Sequence, residues 1–121
     1  MRVAVVGRGR WGTNIVRTLA TLSDVDLIAE SKDIDAILQQ RPAGILIATP
    51  SATHADVAIP FIEAGIPAFI EKPMATTVAD ALRIQSVALR SGTPVVVGHV
   101  HRFNPALRAA KELLPQLGTV Q

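Results

Sequence analysis

The sequence predicts an α/β domain, a doubly wound parallel sheet of about five strands. Three observations predict it. Short aliphatic runs alternate with stretches of helical spacing along the chain. Hydrophobic residues make up 49% of the chain but aromatic ones only 3%, so the core is aliphatic, as in sheets covered by helices. Three glycines stand where the first strand gives way to the first helix. At 121 residues the chain is long enough for one domain with its own core and short for two.

The elements follow in order. Val3–Val6 is a continuous run and reads as a central strand buried on both faces. Trp11, Ile15, Leu19 and Leu22 recur at helical spacing and predict a helix from about Arg10 to Thr21. "VDLIAE" is a second strand ending near Glu30. "DIDAILQQ" is a short helix with Ile34, Ile37 and Leu38 on one side, and Arg41-Pro42-Ala43-Gly44 is a turn. Ile45–Ala48 is a third buried strand, stopped by Thr49-Pro50. A helix from about Ala52 to Ala64 ends at Gly65, the usual glycine position after a helix. Ala68–Ile70 is a fourth strand that runs into Glu71-Lys72-Pro73. Thr77-Val78-Ala79-Asp80 has the spacing of a capping box, with Asp in place of Glu or Gln. The helix it opens carries Leu82, Val87 and Leu89 and closes at Ser91-Gly92. Val95–Val97 is a fifth strand, and Pro105 starts a last helix that runs to about Leu114. This alternation implies parallel strands joined by right-handed crossovers.

Composition narrows the function. No apolar run approaches the ~20 residues that cross a bilayer. Met1-Arg2 leads straight into a strand, without the pattern of a secretory leader. Zero cysteines exclude disulfides and thiolate metal sites, and a cytoplasmic protein is expected. The net charge is +2 and the isoelectric point 9.7, but the basic residues are scattered, so no nucleic-acid footprint is present. Three scattered histidines supply too few ligands for a metal.

Gly7, Gly9 and Gly12 match G-x-G-x-x-G between a strand and a helix, the context that gives this motif meaning. Gly7 permits the tight turn, Gly9 lets a pyrophosphate approach the backbone, and Gly12 lets the helix pack on the strand. Free N–H groups and the positive end of the helix dipole then favour phosphate. The plainer alternative is a strand-to-helix turn that needs small residues. Glu30 lies 18 positions after Gly12, placed to accept hydrogen bonds from an adenosine ribose, which favours NAD. It is otherwise a solvated carboxylate at a strand end. Arg8, Arg10 and Lys32 are cations that reach toward a 2′-phosphate, so NADP stays open.

Three further stretches, "ATPSATHADVAIPFIEAGIPAFIEKPMATT", "VVVGHVHRFNPAL" and "LGTV", join "GRGRWGTNIVRTL". Together and in this order they resemble the nucleotide-binding, Rossmann half of the Gfo/Idh/MocA oxidoreductases. The "EKP" and "RFNP" segments are more specific than the glycines. The resemblance implies a nicotinamide cofactor gripped by Gly7, Arg8, Gly9, Arg10, Trp11 and Gly12, with Glu30 at the ribose. It implies that Thr49, Pro50 and His54 line the cofactor at the end of the third strand. It places Glu71 and Lys72 beside the nicotinamide and its ribose, with Lys72 as the catalytic residue touching the substrate oxygen. An ammonium there stabilises an alkoxide as hydride leaves and helps shuttle the proton. The Lys72-Pro73 bond is often cis in that family. Arg102 and Phe103 match its pair at the nicotinamide end; Phe103 alternatively packs under the last helix. The Trp-Gly-x-Asn start of the first helix is similar to members acting on nucleotide sugars.

Two departures from that pattern shape the expectations. Only 14 residues, Ser31 to Gly44, separate the second strand from the third, where a full βαβ unit takes about 30. One helix and the edge strand are therefore expected to be missing, leaving five strands in the order 2-1-3-4-5. The strand carrying Glu30 then forms an open edge that invites a second copy of the chain, a homodimer. The chain also stops where the family's substrate domain would begin. The first hypothesis is an oxidoreductase of sugars, polyols or nucleotide sugars whose site is completed elsewhere. The alternative is a stand-alone dinucleotide-binding module, a sensor, regulatory subunit or relict without turnover.

Overall fold

A computed structural model describes residues 1–30 and 33–118, the side chains of residues 29, 30 and 117 excepted. The strands are β1 (Arg2–Val6), β2 (Asp26–Glu30), β3 (Gly44–Ile47), β4 (Ala68–Ile70) and β5 (Val95–Val97). The helices are α1 (Arg10–Leu19), α2 (Ile34–Gln39), α3 (His54–Glu63), α4 (Val78–Ser91) and α5 (Pro105–Leu113). All the strand pairs are parallel, and the sheet order is β2-β1-β3-β4-β5, the expected order. With β2 at one edge, no sixth strand is present among the described residues.

The register sorts side chains onto two faces. Ala4, Val6, Ile45, Ile47, Ala68 and Ile70 share one face, and α2, α3 and α4 cover it. Ile37, Ala55, Ala58, Phe61, Ile62, Ile84 and Val87 close the core there, Phe61 at 0% exposure. Val3, Val5, Leu46, Phe69 and Val96 lie on the other face. α1 covers it over β1 and β2. Toward β5 the cover thins, and Val96 is 58% exposed.

Local chemistry sets the element ends. Gly65 has φ +74°, and the Ile66 N–H donates to Phe61 O at 2.9 Å, the bond that closes α3 in a left-handed turn. Thr77 Oγ1 accepts the Asp80 N–H at 3.1 Å and donates to Asp80 Oδ2 at 2.8 Å, so the capping pair works through Asp as read. Asp80 also bonds Arg83 at 2.8 Å, which in turn reaches Asp56 at 3.0 Å. The Thr77 hydroxyl first, and the Arg83 guanidinium second, hold the Asp80 carboxyl below its ordinary value.

Three details differ from expectation. The helix expected from Ala52 begins as a tighter turn over Ser51–Thr53, because Thr53 Oγ1 donates back to Pro50 O at 2.8 Å. On α4 the buried residues are Ile84 and Val87, whereas Leu82 and Leu89 face outward at 53% and 77% exposure. No residue of α5 is buried, and Phe103 is 78% exposed, so it packs under nothing among the described residues.

Candidate functional site

The first crossover is built around its glycines. Gly7 has φ +114°, and a Cβ there would lie 2.5 Å from Ala48 C and O. A Cβ on Gly12 would lie 1.8 Å from Gly7 O. Both positions are sealed by backbone, so only hydrogen fits. Gly9 is different: nothing lies within 4 Å of an added Cβ. Its glycine answers no internal contact and leaves the backbone open to a ligand.

Gly9 is also the N-cap of α1 and caps it with no side chain. By contrast, Asp33, Thr77 and Asn104 cap α2, α4 and α5 through their side chains. The first turn of α1 holds no acidic residue. The helix thus presents uncapped N–H donors and an uncompensated positive dipole end at the open glycine. Exposed Arg8 and Arg10 flank it.

The second half of the site is a row of residues just past the strand ends. The Ala48 N–H donates to Val6 O at 2.8 Å, Glu71 to Ile47 O at 2.9 Å, and Gly98 to Ile70 O at 2.8 Å. Each bond carries the sheet one residue beyond its strand and lines these residues up on the carboxyl edge. Open parallel sheets bind their ligands at that edge. A cleft of about 450 Å³ opens there, lined by Trp11, Ala48, Thr49, Ser51, His54, Glu71, Lys72, Val100 and His101.

Of the residues expected at the site, Trp11, Thr49, His54, Glu71 and Lys72 meet in this cleft. Pro50 is exposed at its rim and caps the turn over Ser51–Thr53. Arg102 lies outside it, in an adjoining groove shared with His101, Leu107, Arg108, Lys111 and Glu112. Glu30 ends β2 opposite Val5, as expected from its strand, while its side chain and Lys32 lie outside the described residues.

Glu71 is only 7% exposed, and its Oε2 accepts the N–H of Lys72 at 3.2 Å. Lys72 itself is exposed, and its bond to Pro73 is cis, as the resemblance implies. His54 is 1% exposed, with Nδ1 2.9 Å from Pro73 O and Nε2 3.0 Å from Thr49 O.

Sequence reasoning missed Ala48, Ser51, Val100 and Gly98. The last makes room for the buried acid: a Cβ on Gly98 would lie 3.2 Å from Glu71 Cδ and Oε1 and 2.9 Å from Phe69 Cζ. Its one sequence signal is a glycine directly after a strand that needs no turn there. Among the described residues no cluster of three His, Asp or Glu side chains is placed to hold a metal.

The chain is similar to known proteins in sequence and in fold. The model of the oxidoreductase family with an NAD-binding Rossmann fold, Gfo/Idh/MocA, matches residues 18–99. Inositol 2-dehydrogenase 1 of Saccharopolyspora erythraea is 33% identical over 138 aligned positions, which cover 94% of this chain and 41% of that protein. Inositol 2-dehydrogenase 2 of the same organism is 30% identical, covering 94% and 40%. Both alignments are longer than the 121 residues here, so the relatives carry extra residues inside the matched span. The chain spans about 40% of the length of these relatives. In fold it is similar to a crystal structure of scyllo-inositol dehydrogenase from Lactobacillus casei, with a TM-score of 0.85, 22% identity, and coverage of 96% of this chain and 41% of that one. The open glycine, the row of residues past the strand ends and the family match together place this chain in the Gfo/Idh/MocA oxidoreductases, as their NAD-binding Rossmann domain.

Proposed function

We propose that residues 1–121 supply the cofactor half of an oxidoreductase site that moves hydride between a nicotinamide dinucleotide and a sugar-type polyol. The observation that carries this is the contrast among the glycines. Gly7 and Gly12 are filled by the protein's own backbone, and Gly9 is open beneath an uncapped, acid-free helix start. That cradle fits a diphosphate, which needs close backbone approach and N–H donors. Gly9 and the first turn of α1 would hold it, with Arg8 and Arg10 alongside. Glu30 is proposed to accept hydrogen bonds from the adenosine ribose, which favours NAD over NADP.

A bound nicotinamide supplies the hydride acceptor; the protein's own residues do the rest. Lys72, exposed in the cleft, is placed to bond the substrate oxygen: the neutral amine takes the hydroxyl proton as hydride leaves, and the ammonium so formed returns it in the reverse direction. Glu71 lies buried next to it in the chain and accepts its backbone N–H, which fixes the start of that segment. Trp11, Thr49 and Ser51 line the cleft with Lys72. The relatives' names support a polyol such as an inositol as the substrate class. The rest of the substrate pocket is proposed to come from outside residues 1–121. We propose further that the open edge of β2 pairs with a second copy, and that the protein works in the cytoplasm, the compartment that fits a sequence without cysteine.

The test is a titration with NADH and NADPH, followed by nucleotide fluorescence and by melting temperature, then an assay of NAD reduction with a panel of inositols and sugars. Saturable binding of NADH, tighter than NADPH, is expected. A folded sample that binds neither nucleotide overturns the proposal.

A further inference from the structure

We propose that His54 is a positioning residue: its buried ring, held between Thr49 O and Pro73 O, ties the turn after β3 to the segment that carries Lys72. The resemblance had set His54 against the cofactor, but at 1% exposure and with both nitrogens facing the chain's own carbonyls it is turned inward. The two partners lie 5 and 19 residues away in sequence, one on the turn after β3 and one on the segment after β4. Both segments line the same opening, with Thr49 on one and Lys72 on the other. The ring sits at the start of α3, whose Ala55, Ala58, Phe61 and Ile62 are locked in the core. It therefore links two loops to a rigid helix.

The inference rests on the reading of Lys72 given above, and its test separates the two. Two substitutions divide the clamp. The Asn side-chain nitrogen sits as many bonds from Cα as Nδ1 does, and the Gln nitrogen as many as Nε2. His54→Asn should therefore keep the bond to Pro73 and release Thr49, and His54→Gln should do the reverse. The amide resonance of Lys72 should move in His54→Gln and hold in His54→Asn, and that of Thr49 should show the opposite pattern. Both variants should keep NADH affinity within about a factor of ten, because the glycine turn is untouched. Variants that shift the same resonances alike overturn the proposal. A loss of NADH affinity beyond tenfold in both, with Lys72 unmoved, makes His54 a cofactor contact and also overturns it. If the two variants behave as expected but NADH never binds, the clamp stands and the cofactor reading fails.

Discussion

Gly9→Ala separates folding from ligand binding. At Gly9, φ is −71° and ψ −179°, extended backbone that alanine adopts freely. The added methyl meets no heavy atom within 4 Å, so it causes no clash inside the protein. Two small terms remain, with opposite signs. Alanine is a poorer N-cap than glycine, by up to about 1 kcal/mol. A stiffer unfolded chain returns about 0.4–1 kcal/mol. The free variant should melt within about 4 °C of the unsubstituted chain, the shift expected for ~1 kcal/mol at this size. The ligand experiences the methyl differently, because it fills the space the diphosphate needs. A tenfold loss of affinity corresponds to about 1.4 kcal/mol. With NADH at 100 times the original Kd, the unsubstituted chain gains about 2.7 kcal/mol and the variant about 1.4. Thermal melts with and without NADH, with a fluorescence titration beside them, read both quantities. A variant that binds NADH as tightly as the original, or that melts far lower without ligand, refutes the reasoning.

Gly12→Ala should do the opposite. Its Cβ would overlap Gly7 O at 1.8 Å, so a melt without ligand should show a loss of about 2 kcal/mol or more. Lys72→Ala, assayed with the substrate-bearing part present, should lower turnover about 10²–10⁴-fold while NADH fluorescence titrates as before; a loss of binding instead assigns Lys72 to the cofactor. Asp80→Asn bears on acid stability. The Thr77 hydroxyl and Arg83 lower the Asp80 pKa in the folded chain, so the carboxylate's contribution is present at neutral pH and lost as pH falls through that lowered value, below ~3.9. Melts recorded from neutral to acid pH should therefore fall less steeply in the variant, by a small amount because the pair is at the surface.

The strands were the most legible part of the fold. β4 and β5 fall on the residues read from their apolar runs, because three consecutive apolar residues between turn residues leave little room for another register. Helical spacing was less informative. On α4 it shows apolar residues without saying which stripe meets the sheet. Ile84 and Val87, three apart, turn inward, and Leu82 and Leu89, seven apart, form the outer stripe. The choice is made by α3, against which α4 packs, and nothing local to α4 encodes it. α5 shows the same gap more fully: its spacing and its Asn104 cap make a helix, and no residue of it is buried.

The site divides along the same line. The glycine turn was legible because its parts are neighbours in sequence, and a five-residue interval holds the whole cradle. The cleft was legible only in pieces. Glu71 depends on a glycine 27 positions later, and Gly98 offers no sign of that by itself. His54 reads as an ordinary polar residue in a helix's first turn until the fold brings two carbonyls to its two nitrogens. Contacts of this kind are fixed by where the parallel strands end. Every strand that carries the sheet one residue further places another side chain on the same edge. The short connection between β2 and β3 leaves that edge continuous from β1 to β5. The cleft where Lys72, Glu71 and His54 meet lies on that edge, past the ends of β3 and β4.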